Sequence, residues 1–500
     1  MKVKSIKTVS DLAAFCKEIG LVFPSGEIYG GLAGFWDYGP LGVELRNNIK
    51  KLWWDKFVKF RDDVVGIDGA IITHSKVWKA SGHVDGFSDL VTNCEKCKQQ
   101  FRADQLVEEV LKIPADGFSA KKIDTLIAKH KITCHSCKKG KLSPTKSFNL
   151  MFRTHIGPIQ NEDNVAYLRP ETAQLIFSNF ANVVDTNRLK LPFGIAQIGR
   201  SFRNEISPRN FIYRDREIEQ MEMEYFVHPD KIKDCPYLNE VSKIKMNVLT
   251  SKAQNSKNKS VKKMTAQQLI KQGHSPWLVY WVSSTYKWFT EDLGISEKNL
   301  RLREHLDEEL AHYASGCFDI EYNYPFGWKE MIGVADRSDY DLNKQAKYSK
   351  KRMAIFDDEK KAWVTPVVAA EPSLGLERVF MSIILDAFTT EKTKTEDRRL
   401  LKLNSKIAPV QVAIFPLMKK DNLPKKAKNV YDVLKEAYAC QYDESGSIGK
   451  RYRRMDEIGC LYCITIDHQS LEDDTVTVRE RDTMKQKRIK IANLHKALKF

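Results

Sequence analysis

Residues 194–228 read GIAQIGRSFRNEISPRNFIYRDREIEQMEMEYFVH. A short apolar run, Gly194 to Ile198, leads to a Pro/Asn-rich turn at Ser207, Pro208, Arg209 and Asn210. An alternating run from Phe211 to Val227 follows, so the stretch reads as an antiparallel hairpin. Successive side chains of a strand point to opposite faces. Gln197, Ser201, Arg203 and Glu205 therefore share one side of the first arm. Arg214, Arg216, Ile218, Gln220, Glu222 and Glu224 share one side of the second, and Met221, Met223 and Tyr225 the other. Such a front of guanidinium and carboxylate groups fits either an exposed salt-bridge ladder or the floor of a site for a charged ligand.

The 500 residues suffice for about three domains, and 42% apolar with 29% charged residues gives ample core. The formal charge of +16 favours an anionic partner, nucleic acid first. The start, MKVKSIKTVSDLAAFCKEIG, lacks the apolar centre of a signal peptide, and no apolar run reaches membrane-spanning length. Ten cysteines are too few for a disulfide scaffold, so a reducing, cytoplasmic setting is expected.

Residues 24–40 are rich in Gly and Pro and read as loop. A helix after Pro40 carries an apolar stripe at Leu41, Leu45, Ile49, Leu52, Trp53 and Phe57, followed by a strand-like run from Val64 to Thr73. Cys94-x-x-Cys97 and Cys134-x-x-Cys137 bracket two helical stretches, 103–111 and 120–130. Four soft thiolates at that spacing suit a tetrahedral structural zinc site inside an inserted subdomain; the bland alternative is four cysteines without metal. Residues 236–265 are Lys/Asn/Ser-rich and linker-like. They precede a helical block at Trp277–Phe289 and a charged helix at Asn299–Tyr313. The polar stretch 389–406 marks a boundary. Beyond it, a strand at 410–416, a helix at 425–440 and strands at 460–467 and 473–482 suggest a small mixed α/β domain with a basic loop, Lys450–Arg454. Gly446–Arg451 has two residues where a Walker A loop needs four, and no dinucleotide-binding glycine fingerprint occurs.

Arg203-Asn-Glu205, a loop and then Arg214 and Arg216 resemble motif 2 of the class II aminoacyl-tRNA synthetases. Glu371-Pro-Ser-Leu-Gly-Leu-Glu-Arg378 resembles their motif 3, and the Pro40 helix with its strand has the shape of motif 1, without the proline usual late in it. Ser81-Gly-His83, Arg169-Pro-Glu-Thr-Ala-Gln174, Gln220-Met-Glu-Met-Glu224, Glu309-Leu-Ala-His-Tyr313, Arg337-Ser-Asp-Tyr-Asp-Leu342 and Thr475–Asp482 resemble the homodimeric glycyl-tRNA synthetase family over essentially the whole chain. His155–Pro158 and Lys347–Lys351 look like class I signatures but depart from them at defining positions.

The resemblance implies an α+β fold: an antiparallel class II sheet flanked by helices, an inserted zinc subdomain and a C-terminal mixed α/β anticodon-binding domain. The expected divisions are catalytic core at 1–90, 150–235 and 311–400, zinc insertion at 91–149, a mostly helical insertion at 236–310 and the anticodon-binding domain at 401–500. The implied reaction joins glycine to AMP from ATP with Mg²⁺, then to the 3′ end of tRNA. Arg203, Glu205 and Arg378 match catalytic positions. ATP and Mg²⁺ would lie against Arg203, Asn204, Glu205, Tyr213, Arg214, Asp215, Arg216, Glu217, Ile218, Glu330, Met331, Gly375, Leu376, Glu377 and Arg378. Glycine would lie against Arg102, Glu171, Ile218, Glu219, Gln220, Met221, Glu222, Glu371, Pro372, Ser373, Leu374 and Gly375. The family usually has an aromatic residue stacking on adenine where Ile218 stands, leaving Phe211 or Tyr213 to compensate. Arg451, Arg453, Arg454 and Tyr452 are expected to meet tRNA. A class II synthetase for serine, threonine or proline, and a non-catalytic RNA-binding paralogue, are the competing assignments. The carboxylates Glu171, Glu222 and Glu371 argue against the first, and retention of Arg203, Glu205, Glu330 and Arg378 against the second.

Overall fold

The hairpin quoted above lies within a nine-stranded sheet. The computed structural model describes residues 5–113, 115, 117–256, 258–310, 314–392 and 397–500. In chain order the strands of this sheet are β1 (Val64–Ile67), β2 (Phe193–Phe202), β3 (Glu217–Val227), β4 (Lys245–Leu249), β5 (Lys262–Thr265), β6 (Leu300–Glu304), β7 (Gly316–Tyr324), β8 (Gly327–Asp336) and β9 (Val367–Gly375). They line up as β5-β4-β6-β7-β8-β9-β3-β2-β1, antiparallel except for the parallel pairs β4–β6 and β2–β1.

The register sets Gln197 opposite Glu222 and Ser201 opposite Ile218, so the front face anticipated from alternation is formed. Four helices frame the sheet: α1 (Pro40–Trp54), α2 (Ala173–Asn187), α3 (Pro276–Lys287) and α4 (Leu376–Ala387). On the back, Met221, Met223 and Tyr225 join one core with Trp53 and Phe57 from the α1 stretch, Trp277 and Trp281 of α3, and Phe380 of α4. Tyr225 alone meets Trp277 and Trp281 at ring centroids of 5.1 and 5.0 Å. Each such buried side chain contributes ~1.5–3 kcal/mol. The apolar stripe of α1 is thus used inside its own chain. On the front, α2 covers one end of the sheet through Phe177 and Phe180 against Phe193 and Phe226. The rest of that face keeps its polar side chains.

Several local expectations are corrected. The second arm of the hairpin begins at Glu217 rather than Phe211, and residues 203–216 form a loop with a 3₁₀ turn at Phe211–Tyr213. Phe211 turns inward onto Trp36, which ends the alternation. The run Val64–Thr73 divides into β1 and a separate strand, Ile72–His74, paired with Val165–Leu168 in another sheet. The linker-like stretch 236–265 supplies edge strand β5 and its neighbour β4, because Met246, Val248 and Met264 are buried among its lysines. The expected charged helix at Asn299–Tyr313 is strand β6 followed by a short 3₁₀ turn; alternating Leu300 and Leu302 are buried while Arg301 and Arg303 are not. Residues 311–313 lie outside the described residues. The insertion 236–310 is therefore helical in its middle and strand at its flanks.

The expected helices of the cysteine-bearing insertion occur at Ala103–Leu111 and Ala120–Lys129, beside a three-stranded sheet. Phe388–Lys392 and Asp397–Leu401 pair as antiparallel strands, and Arg398 on the second is fully buried. The C-terminal part holds a five-stranded mixed sheet with the strands expected near 412, 462 and 475, while its first helix ends at Leu434. The expected basic loop is instead part of a helix, Ile448–Glu457. Arg451 is buried and donates to the carbonyls of Pro416 and Gly446, the Tyr452 hydroxyl bonds Thr465, and Arg454 is paired with Asp443. The arginines there satisfy backbone oxygens and carboxylates of their own domain. Among the described residues no helix is long and apolar enough to cross a membrane.

One buried charge group ties the last domain to the strand Asp397–Leu401. Asp456 accepts from Arg398 Nε at 2.7 Å and from Arg479 at 2.9 and 3.0 Å. Asp456→Ala leaves two guanidinium groups buried without that partner and is expected to cost about 3–5 kcal/mol. Urea unfolding of the purified variant checks this; a loss below ~1 kcal/mol would show that the group is not a structural tie.

Candidate active site

Loop 203–216, the N-terminal part of β8 and the C-terminal end of β9 enclose a cleft of about 450 Å³ over the front face. Arg203, Glu205, Tyr213, Arg214, Asp215, Ile218, Gln220, Glu330, Ser373, Gly375, Glu377 and Arg378 all line it. The loop is held by its own charges. Glu205 accepts from Arg214 Nε at 2.7 Å through its carboxylate and from Arg216 through its backbone oxygen. Arg216 also donates to the Ala33 carbonyl at 2.6 Å, so it is committed to shaping the loop. Arg203 donates to the Pro170 carbonyl at 3.0 Å, and the backbone N–H of Asn204 bonds Leu150. At the far wall Arg378 pairs with Glu330 at 3.0 Å and lies over the Tyr213 ring. Arg378 holds the Glu330 carboxyl below the usual carboxylate range. Asp215, hydrogen-bonded by Trp36 Nε1 at 3.0 Å, is pushed well above that range by burial, with Glu377 adding to it.

A deeper pocket lies at the N-terminus of α2. Glu222 accepts from the hydroxyls of Thr172 and Ser373. Glu371 meets Arg337 Nη1 at 2.7 Å, and Arg337 Nε bonds Asp341 at 2.9 Å. Glu171 stands 3.3 Å from His83 Nε2 and accepts from Gln174. The carboxyls respond differently. Burial opposes ionisation of Glu171, but His83, with Arg337 and Arg203 beyond, holds it well below the usual range. Burial raises Glu222, with Glu171 adding to the effect, and pushes Glu371 up to about 8. Anionic groups so close together and so poorly solvated favour an incoming cation.

The structure does not bring every expected residue to the site. Glu217, Glu219 and Met221 alternate with the front-face residues and point backwards: Glu217 pairs with Arg200, Glu219 with Arg46 and Lys50, and Met221 is core. Met331, Leu374 and Leu376 are buried in that same core, and Pro372 shares the parity of Leu374. Arg102 is bound to Asp104 and Asp89; Asp89 lies 3.7 Å from Arg214, so Arg102 adjoins the loop at one remove. Phe211 is in the core and Tyr213 donates to the Glu330 carbonyl, leaving Ile218 as the apolar side chain on the β3 floor of the cleft.

His83, Thr172, Gln174, Arg337 and Asp341 complete the pocket without having been assigned roles from sequence. His83 is far in sequence from the other four, while Arg337 and Asp341, four residues apart, pair between the turn after β8 and the helix Tyr340–Ser349. Arg169 crosses the front of β2, donating to the carbonyls of Gly69 and Arg200; a Cβ at Gly199 would collide with its guanidinium, so glycine there makes room for it.

The cysteine quartet forms a separate centre. Cys94 and Cys137 sulfurs are 3.6 Å apart, Cys97 and Cys134 3.5 Å, and all four gather within 4.8 Å. That is far beyond the ~2.05 Å of a disulfide. It is near the ~3.8 Å edge of a tetrahedron with Zn–S of ~2.3 Å. Backbone N–H groups of Cys97 and Cys137 point at sulfurs, the N–H of Lys139 helps bring the Cys137 thiol down to about 6, and a Cβ at Gly140 would run into Cys94 Sγ. The residues fit a thiophilic metal ion.

Two family models match the chain: "tRNA synthetase class II core domain (G, H, P, S and T)" over residues 152–388 and "Anticodon binding domain" over 411–500. Among solved structures, prolyl-tRNA synthetases from Cryptosporidium parvum and Giardia lamblia align over 98% of this chain and 76% of theirs, with TM-scores of 0.56 and 0.60 at 14% and 16% identity. That likeness concerns the fold alone. The curated glycine–tRNA ligases of Clostridium acetobutylicum and Acetivibrio thermocellus are each 44% identical over 99% of this chain and 99% and 98% of their own length. That of Caldanaerobacter subterraneus is 43% identical over 98% of both. Matched end to end at that level, the chain belongs to the glycine–tRNA ligase family of class II synthetases.

Proposed function

We propose that this chain activates glycine with ATP and transfers it to the 3′ end of its tRNA. The observation that carries the glycine assignment is the set of buried Glu222 and Glu371 with part-buried Glu171 beside an arginine-lined cleft. Glycine offers only an ammonium and a carboxylate, so recognition must come from charge on one side and excluded space on the other. The three carboxylates receive the ammonium. Arg203 turns the substrate carboxylate toward the α-phosphate of ATP. A carboxylate oxygen attacks that phosphorus, the bond to the β-phosphate bridge breaks, and pyrophosphate leaves. The terminal ribose hydroxyl of tRNA then attacks the mixed anhydride and AMP departs. Glu205 accepts from the adenine amine, and Arg378 holds the γ-phosphate. Positioning and charge compensation supply the rate, with no covalent enzyme intermediate.

Glu330 would hold Mg²⁺; its side chain is 45% exposed at the cleft and keeps a free oxygen beside its pairing with Arg378. When bound, Mg²⁺ neutralises phosphate charge. Cys94, Cys97, Cys134 and Cys137 would hold a structural Zn²⁺, and Arg102, which follows the second cysteine, links that insertion to loop 203–216 through Asp89. The C-terminal domain would read the tRNA anticodon with residues other than Arg451 and Tyr452, which are engaged internally. Family resemblance supports a homodimer and a cytoplasmic location. Phe60, 74% exposed just beyond α1, is apolar surface suited to a subunit contact.

Glycine-dependent ATP–pyrophosphate exchange tests the function: glycine should support it, while serine, threonine and proline should not. Arg203→Ala should lower exchange by ~10²-fold or more with the fold intact by circular dichroism; near-normal exchange would refute the role given to the loop. Metal analysis of reduced protein should find about one zinc per chain, lost in Cys94→Ser. Full-length protein containing no zinc would rule out the four-thiolate centre.

A further inference from the structure

Beneath the pocket lies a fourth carboxyl group that the reaction above does not use. Glu224 follows Glu222 on the same face of β3 and is completely buried. Among the described residues neither of its oxygens has a hydrogen-bond partner, yet its carboxylate stands within 4.8 Å of those of Glu222 and Glu371. Its neighbours are otherwise provided for. Glu222 takes the hydroxyls of Thr172 and Ser373, and Glu371 takes Arg337, which Asp341 shares. Among the described residues no cation is paired with Glu224, and Arg337, the cation whose charge reaches it, is engaged by Glu371 and Asp341. A fourth anion in this dry space would face more like charge than Arg337 offsets and would find no compensating hydrogen bond. Burial first, and Glu371 second, push its carboxyl well above the carboxylate range.

We propose that Glu224 is a positioning residue of the glycine site, a neutral carboxylic acid beneath Glu222 and Glu371 whose O–H donates to one of them once glycine is bound and fixes where that group stands. A neutral acid has one donor and no net charge, so it can steady a neighbouring carboxylate without adding to the repulsion. Glu224 then adds no charge to the carboxyl groups that face the substrate, which are matched against Arg337 and the glycine ammonium. An apolar side chain would fill the same space but give no donor, and an ionised one would overcharge the pocket.

The inference rests on the glycine-activating reading, and the exchange assay separates the two. Three full-length proteins are compared: unaltered, Glu224→Gln and Glu224→Leu. Gln retains a neutral donor of nearly the same shape and should keep the KM for glycine within about threefold and the pH profile of kcat/KM unshifted. Leu removes an unpartnered acid and should leave the melting temperature unchanged or higher. It should nevertheless raise the KM for glycine about tenfold or more, with a smaller effect on kcat and none on the KM for ATP. If Glu224 only fills space, Leu will bind glycine as the unaltered protein does, and the proposal fails. If Gln is as impaired as Leu, the group acts as an anion, and the proposal fails in that way instead. Should Leu not fold, the Gln result and its pH profile still decide between a neutral and a charged Glu224. No exchange with glycine in the unaltered protein would overturn the functional reading itself.

Discussion

The front of the central sheet is governed by one constraint: carboxylates buried side by side need cations and donors in fixed places. Leaving such groups unpaired costs several kcal/mol each, so the surrounding chain must supply partners before any substrate arrives. Arg337 comes from the turn after β8, Thr172 from the start of α2, Ser373 from β9 and His83 from the N-terminal third of the chain. Segments distant in sequence are thereby drawn to one point. The N-terminus of α2 faces the same point, and its partial positive charge favours the anions there.

A second ion cluster mirrors this arrangement on the back. Arg46 of α1 is buried between Glu219 of β3 and Glu377 of α4, and Glu377 also accepts from the Glu219 backbone N–H. Since Glu377 and Arg378 are neighbours, the helix that carries Arg378 into the cleft is anchored by its adjacent glutamate to the strand that carries Gln220 and Glu222. The alternation of β3 therefore does two things with glutamates three residues apart: Glu222 faces the pocket and Glu219 fixes the sheet to its helices. A one-residue slip would exchange them and bury Met221 in the wrong face.

What was legible in the sequence was periodic or carried by motifs. The two faces of the hairpin, the α1 stripe, the Trp-rich α3 and the cysteine quartet follow from spacing alone. Illegible features depended on partners remote in sequence. Arg301 and Arg303 look like one side of a charged helix, but they flank Leu302 on a strand because Glu321 and Asp319 lie opposite on β7. Lys450–Arg454 looks like a phosphate-binding loop, yet Arg451 is needed for carbonyls of its own domain. Glu219 and Met221 were assigned to glycine with the motif containing them, although strand parity alone would have turned both away. Residues named only within motif strings, such as His83 and Arg337, acquire roles when the fold shows which carboxylates they touch.

The two halves of the site are built differently, in keeping with what each must bind. The end proposed for glycine combines the buried strand residues Glu222 and Glu371 with Glu171 just before α2, each held by neutral donors or cations. The nucleotide end is made largely of loop 203–216 and of side chains open to solvent, such as Glu330. A triphosphate offers many charged handles, so loop arginines can adapt to it. Glycine has no side chain for a pocket to grip, and selecting it requires groups that do not move to accommodate a larger one. Rigid elements give that precision better than loops do. Placing an uncharged acid such as Glu224 below the carboxylates extends the same logic one layer deeper, where stiffness can be gained without further charge.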